Sequence, residues 1–165
     1  MKDSKEVDYS NLRFVRIFDP SHVPKKLIEQ IKHPWFELDD WYKYQEIICL
    51  RHTDQGPQLN PLSMLYVIAD EGNKVVGMLW CEVDTLGKSL ILQTFSMEKE
   101  YWNKGKAVGF AADKLKEIVE ECKLKRIIWC TRYPKHSQRY GFKRSPEILM
   151  EWSPEEDKKD EDEGE

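Results

Sequence analysis

LILQTFSMEKEYWNKGKAVGFAADKLKEIVEEC, residues Leu90–Cys122, is the stretch around which the rest of the chain is arranged. Its first part is an apolar strand, its last part is an amphipathic helix, and the turn KGKA joins the two. Apolar residues recur on one helix face at steps of three and four. They are Val108, Ala111, Ala112, Leu115, Ile118, Val119 and Cys122. A strand, a glycine turn and a helix N-terminus in this order predict an anion-binding site.

The physical basis of this site is the free end of the helix. The first amide N–H groups of a helix have no intrahelical partners and lie at the positive end of its dipole. Gly105 permits a positive φ or a close approach of the backbone, and Lys104 and Lys106 add positive charge. One glycine between two lysines is also typical of an ordinary strand-to-helix turn, and that alternative stays open.

The length and charge of the chain predict one folded domain with an acidic tail. The 165 residues fit a single domain over residues 1–153, followed by a disordered segment over residues 154–165. The run SPEEDKKDEDEGE carries a charge of −6, so the total of −4 leaves about +2 on the rest of the chain. The tail is interpreted as a solubilising segment, with docking to a basic partner as the alternative.

Several features predict a soluble protein of the reducing cytoplasm. The polar N-terminus has no secretory pattern, and no apolar run approaches the roughly 20 residues of a membrane span. The cysteines contain no CxxC pair and lie in apolar runs, which predicts reduced core residues. They are Cys49, Cys81, Cys122 and Cys130. The histidines, His22, His33, His52 and His136, show no ligand-like spacing, so we expect no metal.

Hydrophobic periodicity predicts an α+β chain. The expected elements before the central stretch are a strand at 12–18, helices at 23–32 (capped by Ser21) and 37–50, an irregular loop at 51–61, and strands at 63–70 and 74–84 joined by Gly72-Asn73. Those at and after it are a strand at 89–97, the helix, an apolar strand at 124–130, a short polar helix or turn at 134–140, and a strand pair broken near Ser145-Pro146. The three strands of 63–97 form an antiparallel meander. The strand at 124–130 is expected parallel to the last of them and central in the sheet.

This order resembles the GNAT superfamily of acyl-CoA-dependent N-acyltransferases, over nearly the whole body of the chain. The loop W-N-K-G-K-A, Trp102–Ala107, matches the family's Arg/Gln-x-x-Gly-x-Gly/Ala pattern at Gly105 and Ala107. Met97, Tyr101 and the segment Y-G-F-K at residues 140–143 also fit the family. The resemblance implies an α/β fold of the α+β kind, with one mixed, mostly antiparallel sheet flanked by helices. The short segment before Gly141 resembles compact viral and bacteriophage members.

The resemblance further implies acetyl-CoA (or CoA) as cofactor and direct attack of a primary amine on its thioester. The pyrophosphate would lie on the amides of Trp102, Asn103, Lys104, Gly105, Lys106 and Ala107. The pantetheine would pair along Phe95, Ser96 and Met97, where a backbone N–H would stabilise the oxyanion. The acceptor amine could belong to a small molecule, a protein lysine or a protein N-terminus.

For the chemistry, Glu82 is the first candidate for the general base and Asp84 the second. Each has a plain alternative as a solvated charge at the rim of a strand. Tyr140 is the candidate proton donor for the leaving thiolate, and Tyr133 is the alternative, since both lie near Ser137 in the sequence. Three positions depart from the family: Trp102 replaces arginine or glutamine, Ser137 replaces the usual tyrosine, and Gln93 replaces an acid common on that strand.

These departures keep a second function open, a catalytically weak or inactive GNAT-like binding or structural protein, with a viral source as one interpretation. A basic group near the C-terminus favours a solvated rim over a nucleic-acid surface. It comprises Lys123, Lys125, Arg126, Arg132, Lys135, Arg139, Lys143 and Arg144. The apolar segment EILMEW is a candidate for strand pairing in a homodimer, and no membrane partner is expected.

Overall fold

A computed structural model of the chain describes residues 7–18, 22–28, 51–53, 56–58, 61–131 and 134–146. Several predictions fall on other residues and lie outside the described part. They are the helix cap at Ser21, the helix at 37–50, the strand EILMEW, the role of Tyr133 and the acidic tail at 154–165.

The described chain forms a five-stranded mixed sheet with helices, and a separate two-stranded ladder. The elements are β1 (Arg13–Ile17), α1 (Lys25–Ile28), β2 (Arg51–Thr53), β3 (Gly56–Gln58), β4 (Ser63–Ala69), β5 (Val75–Asp84), β6 (Ser89–Met97), α2 (Lys106–Glu121), β7 (Arg126–Trp129) and α3 (Pro134–Gln138). Short 3₁₀ turns cover Tyr9–Asn11, Lys99–Tyr101 and Asn103–Gly105. The strand order in the large sheet is β1-β4-β5-β6-β7.

Strands β4, β5 and β6 form the predicted antiparallel meander, and β6 pairs in parallel with β7. The β4–β5 turn is closed by a hydrogen bond from the Asn73 amide to the Asp70 carbonyl at 3.0 Å. Asn73, rather than Gly72, takes the positive φ of 63°, because asparagine tolerates the left-handed region. The helix α2 provides the crossover from β6 to β7, which confirms the βαβ unit.

The core lies on both faces of the sheet. On the α1 face, buried side chains of β4 and β5 pack with Leu27 of α1, and on the α2 face the neighbouring side chains pack against the apolar face of α2. The first set is Ile17, Val23, Leu27, Leu65, Val67, Met78 and Trp80. The second set is Tyr66, Leu79, Cys81, Leu90, Leu92, Ala111, Leu115 and Ile118. Alternation along each strand therefore assigns every side chain of β5 to one of the two faces.

One predicted assignment, the irregular loop at 51–61, is wrong. Part of the expected irregular loop is the antiparallel pair of β2 and β3, in which Arg51 opposes Gln58 and Thr53 opposes Gly56. Glycine and proline argued against a strand here, but both are tolerated in short edge strands. Strand β7 is the last strand in the described part of the sheet, and Ile128 on it is 38% exposed. The predicted strand EILMEW lies outside the described residues, so the central position of β7 stays a prediction.

The exposure of two cysteines differs from the prediction that the cysteines are core residues. Cys122 and Cys130 are exposed, whereas Cys81 is buried. Cys122 caps the end of α2 and so lies beyond its packed face.

The segment 142–146, expected as the start of a strand pair, contains no strand. Proline at 146 removes a backbone donor that a ladder would need.

Candidate functional site

The N-terminus of α2 has the geometry that the sequence predicted for its glycine turn. Gly105 is the N-cap residue, with φ 92° and ψ 2°, and no side chain caps the first turn. Three backbone amides of the loop already have carbonyl partners: Trp102 donates to Lys99 at 3.2 Å, Gly105 donates to Trp102 at 3.0 Å, and Lys106 donates to Asn103. Helix geometry leaves the amide N–H groups of Ala107 and Val108 without intrahelical acceptors. They are the groups best placed to bind an anion.

Helix α3 and the turn that follows it pack against this end of α2 at two glycines, Gly105 and Gly109. A Cβ added to Gly105 would clash with the imidazole of His136, and one added to Gly109 would clash with the ring of Tyr140. The Tyr140 hydroxyl lies 3.4 Å from the carbonyl oxygen of Gly105. Tyr140 therefore lies beside the anion end of the site.

Two polar groups near this end are buried without a hydrogen-bond partner among the described residues. They are Nδ2 of Asn103, in the loop itself, and Oγ of Ser137, which is 4% exposed. A buried donor without a partner is uncommon in folded proteins. Asn103 Nδ2 is thus a candidate ligand donor, while Ser137, at the position of the family's tyrosine, is enclosed by the packing of α3.

Among the described residues, no strand pairs with one edge of β6 over its C-terminal half, and we call this the open edge of β6. Pairing with β7 covers only Ser89 to Leu92. The amide of Glu98 donates to the Val76 carbonyl on the β5 side at 2.8 Å. Because backbone groups alternate along a strand, Phe95 and Met97 direct their N–H and C=O groups to the opposite edge. An extended chain carrying amides could add to this edge as a short strand.

Trp102 contacts that open edge. Its indole Nε1 donates a hydrogen bond to the Met97 carbonyl at 2.8 Å, and 49% of the residue is exposed. The sequence identified Trp102 as a departure from the family but gave no sign of this contact. Its ring therefore lies between the open edge of β6 and the N-terminus of α2.

Glu82 lies in a polar group on the α1 face of the sheet. Ser63 Oγ donates to Glu82 Oε1 at 3.1 Å, and Gln93 Nε2 donates to Glu82 Oε2 at 3.2 Å. Ser63 is fully buried and directly opposes Glu82 across the β4–β5 ladder. Both carboxylate oxygens are therefore oriented by neutral donors.

The other candidates for catalysis are placed elsewhere. Asp84 caps the β5–β6 turn, since its carboxylate accepts the amides of Leu86 at 3.1 Å and Gly87 at 3.0 Å. The contacts of Tyr140 are with Gly105, Gly109 and, through its carbonyl, the Lys116 ammonium at 3.2 Å. Tyr140 and Glu82 thus contact different elements, and these contacts do not bring them together.

Sequence reasoning missed Glu98, a carboxylate only 7% exposed at the end of β6. It forms ion pairs with Lys26 of α1 and, at 3.1 Å, with Lys74 of the β4–β5 turn. Burial raises the pKa of Glu98, but hydrogen bonds from Lys26 and Lys74 outweigh it and lower the pKa overall. On the same strand, the Ser96 hydroxyl donates to the Leu27 carbonyl at 3.1 Å. These contacts fix α1 against the strand that leads into the loop, and no sequence signal indicates them.

Within the described ranges, no helix has the length and apolar character that crossing a membrane requires. No cluster of three or more His, Cys, Asp or Glu side chains suited to a metal ion occurs among the same residues.

Comparison with known proteins gives structural matches only. No protein-family model and no curated protein matches the sequence. Among solved structures, the chain is similar to glucosamine-6-phosphate N-acetyltransferase from Arabidopsis thaliana, with a TM-score of 0.59 at 10% identity over 86% of this chain and 97% of that one. It is also similar to a GNAT family acetyltransferase from Staphylococcus aureus, with a TM-score of 0.59 at 16% identity over 87% and 99% of the two chains.

A third similar structure is AAC(6')-Iy in complex with the bisubstrate analog CoA-S-monomethyl-acetylneamine, with a TM-score of 0.58 at 12% identity over 86% and 97% of the two chains. Likeness at these identities shows the fold alone. The plant and bacterial sources named here give no support to the expected viral or bacteriophage origin.

Proposed function

We propose that this chain, which has the GNAT acetyltransferase fold, binds acetyl-CoA and transfers its acetyl group to a primary amine. The observation that supports this best is the open edge of β6 at Phe95 and Met97, next to the uncapped N-terminus of α2 at Gly105. The first is suited to an extended arm that carries amides, and the second is suited to a phosphate group. Acetyl-CoA contains both.

The residues present fit such a cofactor. The amides of Ala107 and Val108, together with Asn103 Nδ2, would contact the pyrophosphate, and Phe95 and Met97 would pair with the pantetheine arm. Lys104 and Lys106 would add positive charge, and Ser96 would support the strand from its other face. When bound, acetyl-CoA supplies an activated acetyl group whose thioester carbon the amine can attack.

The residues of the chain would contribute three things to this reaction. Glu82 would take the proton from the acceptor amine, since its carboxylate is held by Ser63 and Gln93 on the face opposite α2. A backbone N–H of Phe95 or Met97 would stabilise the negative charge that develops on the carbonyl oxygen. Tyr140 is proposed to protonate the leaving thiolate, a role that requires its hydroxyl to leave the Gly105 carbonyl.

The acceptor is proposed to be a primary amine of a small molecule or of a protein lysine or N-terminus, in the cytoplasm. The chain would act without a nucleic acid or a membrane, as a monomer or a homodimer. Glucosamine 6-phosphate, spermidine and a lysine-containing peptide make a first panel of acceptors, because together they sample sugar, polyamine and protein amines.

Calorimetric titration with acetyl-CoA tests the binding step. Gly105→Ala should weaken binding by about tenfold or more, because the left-handed φ of 92° and the His136 ring both oppose a side chain there. The matched control is Gly72→Ala, where a Cβ would meet Asp70 only at 3.4 Å. Equal affinity of the wild type and Gly105→Ala, or no binding by the wild type, would contradict the proposal.

A second candidate function is a GNAT-like binding protein without turnover. Its support is the Trp102 indole on the Met97 carbonyl, together with the enclosed hydroxyl of Ser137. Acetyl-CoA binding without acetylation of any amine in the panel favours this function. Acetylation that Glu82→Gln abolishes favours the enzyme.

A further inference from the structure

A β-bulge in β6 places two consecutive polar side chains on one face of the sheet. Thr94 opposes Trp80 and Leu92 opposes Cys81, so Gln93 is an extra residue in the ladder. Gln93 contacts Glu82, and Thr94 lies opposite Trp80, which is two residues from Glu82 on β5. Residues two apart on a strand share a face. Gln93 and Thr94 therefore both lie on the α1 face, where a regular strand would have separated them.

The hydroxyl of Thr94 has no hydrogen-bond partner in the part of the chain that the structure describes. Thr94 is 5% exposed, and its Oγ1 is buried. Two serine hydroxyls on the same face do form hydrogen bonds. Ser63 Oγ donates to the Glu82 carboxylate, and Ser96 Oγ donates to the Leu27 carbonyl. An unpaired buried hydroxyl is destabilising, because it loses water and gains no partner. Its position beside the bulge points to a ligand rather than to the stability of the core.

Glu82 provides a carboxylate on the same face of the sheet as Thr94. Each of its carboxylate oxygens accepts one hydrogen bond from a neutral side chain, whereas a carboxylate can accept about four. No cation pairs with it among the described residues. Thr94 opposes Trp80, which lies two residues before Glu82 on β5, and the bulge residue Gln93 lies beside both Thr94 and Glu82.

We propose that Thr94 Oγ1 and the Glu82 carboxylate together hold the nitrogen of the acceptor amine, and that the acceptor arrives as an alkylammonium ion. This inference rests on the proposed function. Glu82 takes one proton from the ammonium: an N–H bond breaks, its electron pair stays on nitrogen, and the carboxylate becomes a carboxylic acid. Thr94 Oγ1 accepts a hydrogen bond from one of the remaining N–H groups and so orients the lone pair of the neutral amine.

The role of Thr94 predicts an unusual combination of effects for Thr94→Val, which keeps the shape and removes the hydroxyl. The kcat/KM for the amine should fall by about tenfold to a hundredfold, the loss expected for a hydrogen bond to a charged or reacting group. The acetyl-CoA affinity should stay within about twofold, and the melting temperature should stay equal or rise, because an unpaired hydroxyl is removed from the interior. Thr94→Ser should retain most of the activity.

Ser89→Ala is the matched control on the same strand. The Ser89 hydroxyl is buried but satisfied, since it donates to the Gly87 carbonyl at 3.1 Å and accepts from Arg126 Nε at 2.8 Å. Its removal should lower the melting temperature and leave kcat/KM unchanged.

The experiment measures kcat/KM, acetyl-CoA affinity and melting temperature for these variants, with and without millimolar spermidine, glucosamine 6-phosphate or lysine peptide. A Thr94→Val protein that melts lower than the wild type, or that keeps kcat/KM within about twofold, overturns the inference. If the wild type binds acetyl-CoA but no amine of the panel shifts its melting temperature or is acetylated, the inference is likewise overturned. Failure of the wild type to bind acetyl-CoA instead identifies the proposed function as wrong.

Discussion

The Trp102 indole and the Met97 carbonyl are joined by a 2.8 Å hydrogen bond at the edge of β6. The carbonyl belongs to the edge that the pantetheine arm is proposed to use. The indole N–H therefore competes with a strand-like ligand for the Met97 carbonyl oxygen. Trp102 is also 49% exposed, so solvent or a ligand can contact part of it.

Trp102→Phe tests this competition, because it keeps an aromatic ring and removes the N–H donor. The Met97 carbonyl becomes available to the ligand, so acetyl-CoA should bind about two- to tenfold more tightly, the range of one net hydrogen bond. Calorimetry checks the change. Trp129→Phe, which alters a tryptophan on β7, should leave the affinity as it is. Weaker binding by Trp102→Phe would show that the indole N–H serves the ligand instead.

The ion pairs of Glu98 predict a pH-dependent stability. Its pKa in the folded protein lies below the ordinary 4.5, so the stabilisation is present above pH 4.5 and is lost as the pH falls through the folded pKa. Glu98→Gln should destabilise the protein at pH 7 by about 1–2 kcal/mol, since both lysines are half exposed. In urea unfolding, the difference from the wild type should shrink as the pH falls into the acid range.

The control for Glu98 is Glu117→Gln, which removes the ion pair with Lys114 at 2.6 Å, in which the Glu117 side chain is 53% exposed. Such pairs contribute less than about 1 kcal/mol. A Glu98→Gln difference that is equally large at low pH would mean that packing, and not charge, explains the effect.

Gly109 lies inside helix α2, and we expect its replacement by alanine to destabilise the protein. Elsewhere in a helix, alanine for glycine stabilises by about 1 kcal/mol, but here a Cβ would overlap the Tyr140 ring. Gly109→Ala should therefore lower the melting temperature. In the double variant Gly109→Ala with Tyr140→Ala, the added cost of the methyl group should disappear. Additive losses in this cycle would rule out a clash with Tyr140.

The cysteines should differ sharply in reactivity. Burial raises the pKa of the Cys81 thiol to about 12, and the thiolate is the reactive form. Cys122 and Cys130 are exposed. Alkylation at pH 8, read by mass spectrometry, should label Cys122 and Cys130 in the folded protein and Cys81 only after unfolding. Prompt labelling of Cys81 would contradict the packing of the α2 face.

The elements that sequence predicted well are those with a strong local pattern. The meander of β4 to β6 follows from alternation and turn residues, and α2 follows from the spacing of Ala111, Leu115 and Ile118. The parallel pairing of β7 with β6 follows from the crossover helix, while the central position of β7 depends on residues outside the described part and stays a prediction. The pairing of Thr53 with Gly56 was not predicted, because glycine and proline are more typical of loops than of strands.

The candidate site was predicted less completely than the fold. Gly105 was identified because its turn chemistry is local, and its φ of 92° agrees. The partners of Glu82, the ion pairs of Glu98 and the contact of Trp102 with Met97 join residues through strand register and folding of the loop. Such pairings depend on three-dimensional packing, which periodicity in the sequence does not specify.

Amide hydrogen exchange tests the central claim most directly, because acetyl-CoA is proposed to add to the open edge of β6 and to the start of α2. The amides of Phe95, Met97 and Ala107 should exchange rapidly in the free protein and become protected with saturating acetyl-CoA. Strand β4 is paired with β1 on one side and with β5 on the other, so its amides, such as that of Val67, should not change. Unchanged exchange at Phe95, Met97 and Ala107 under saturating ligand would contradict the account.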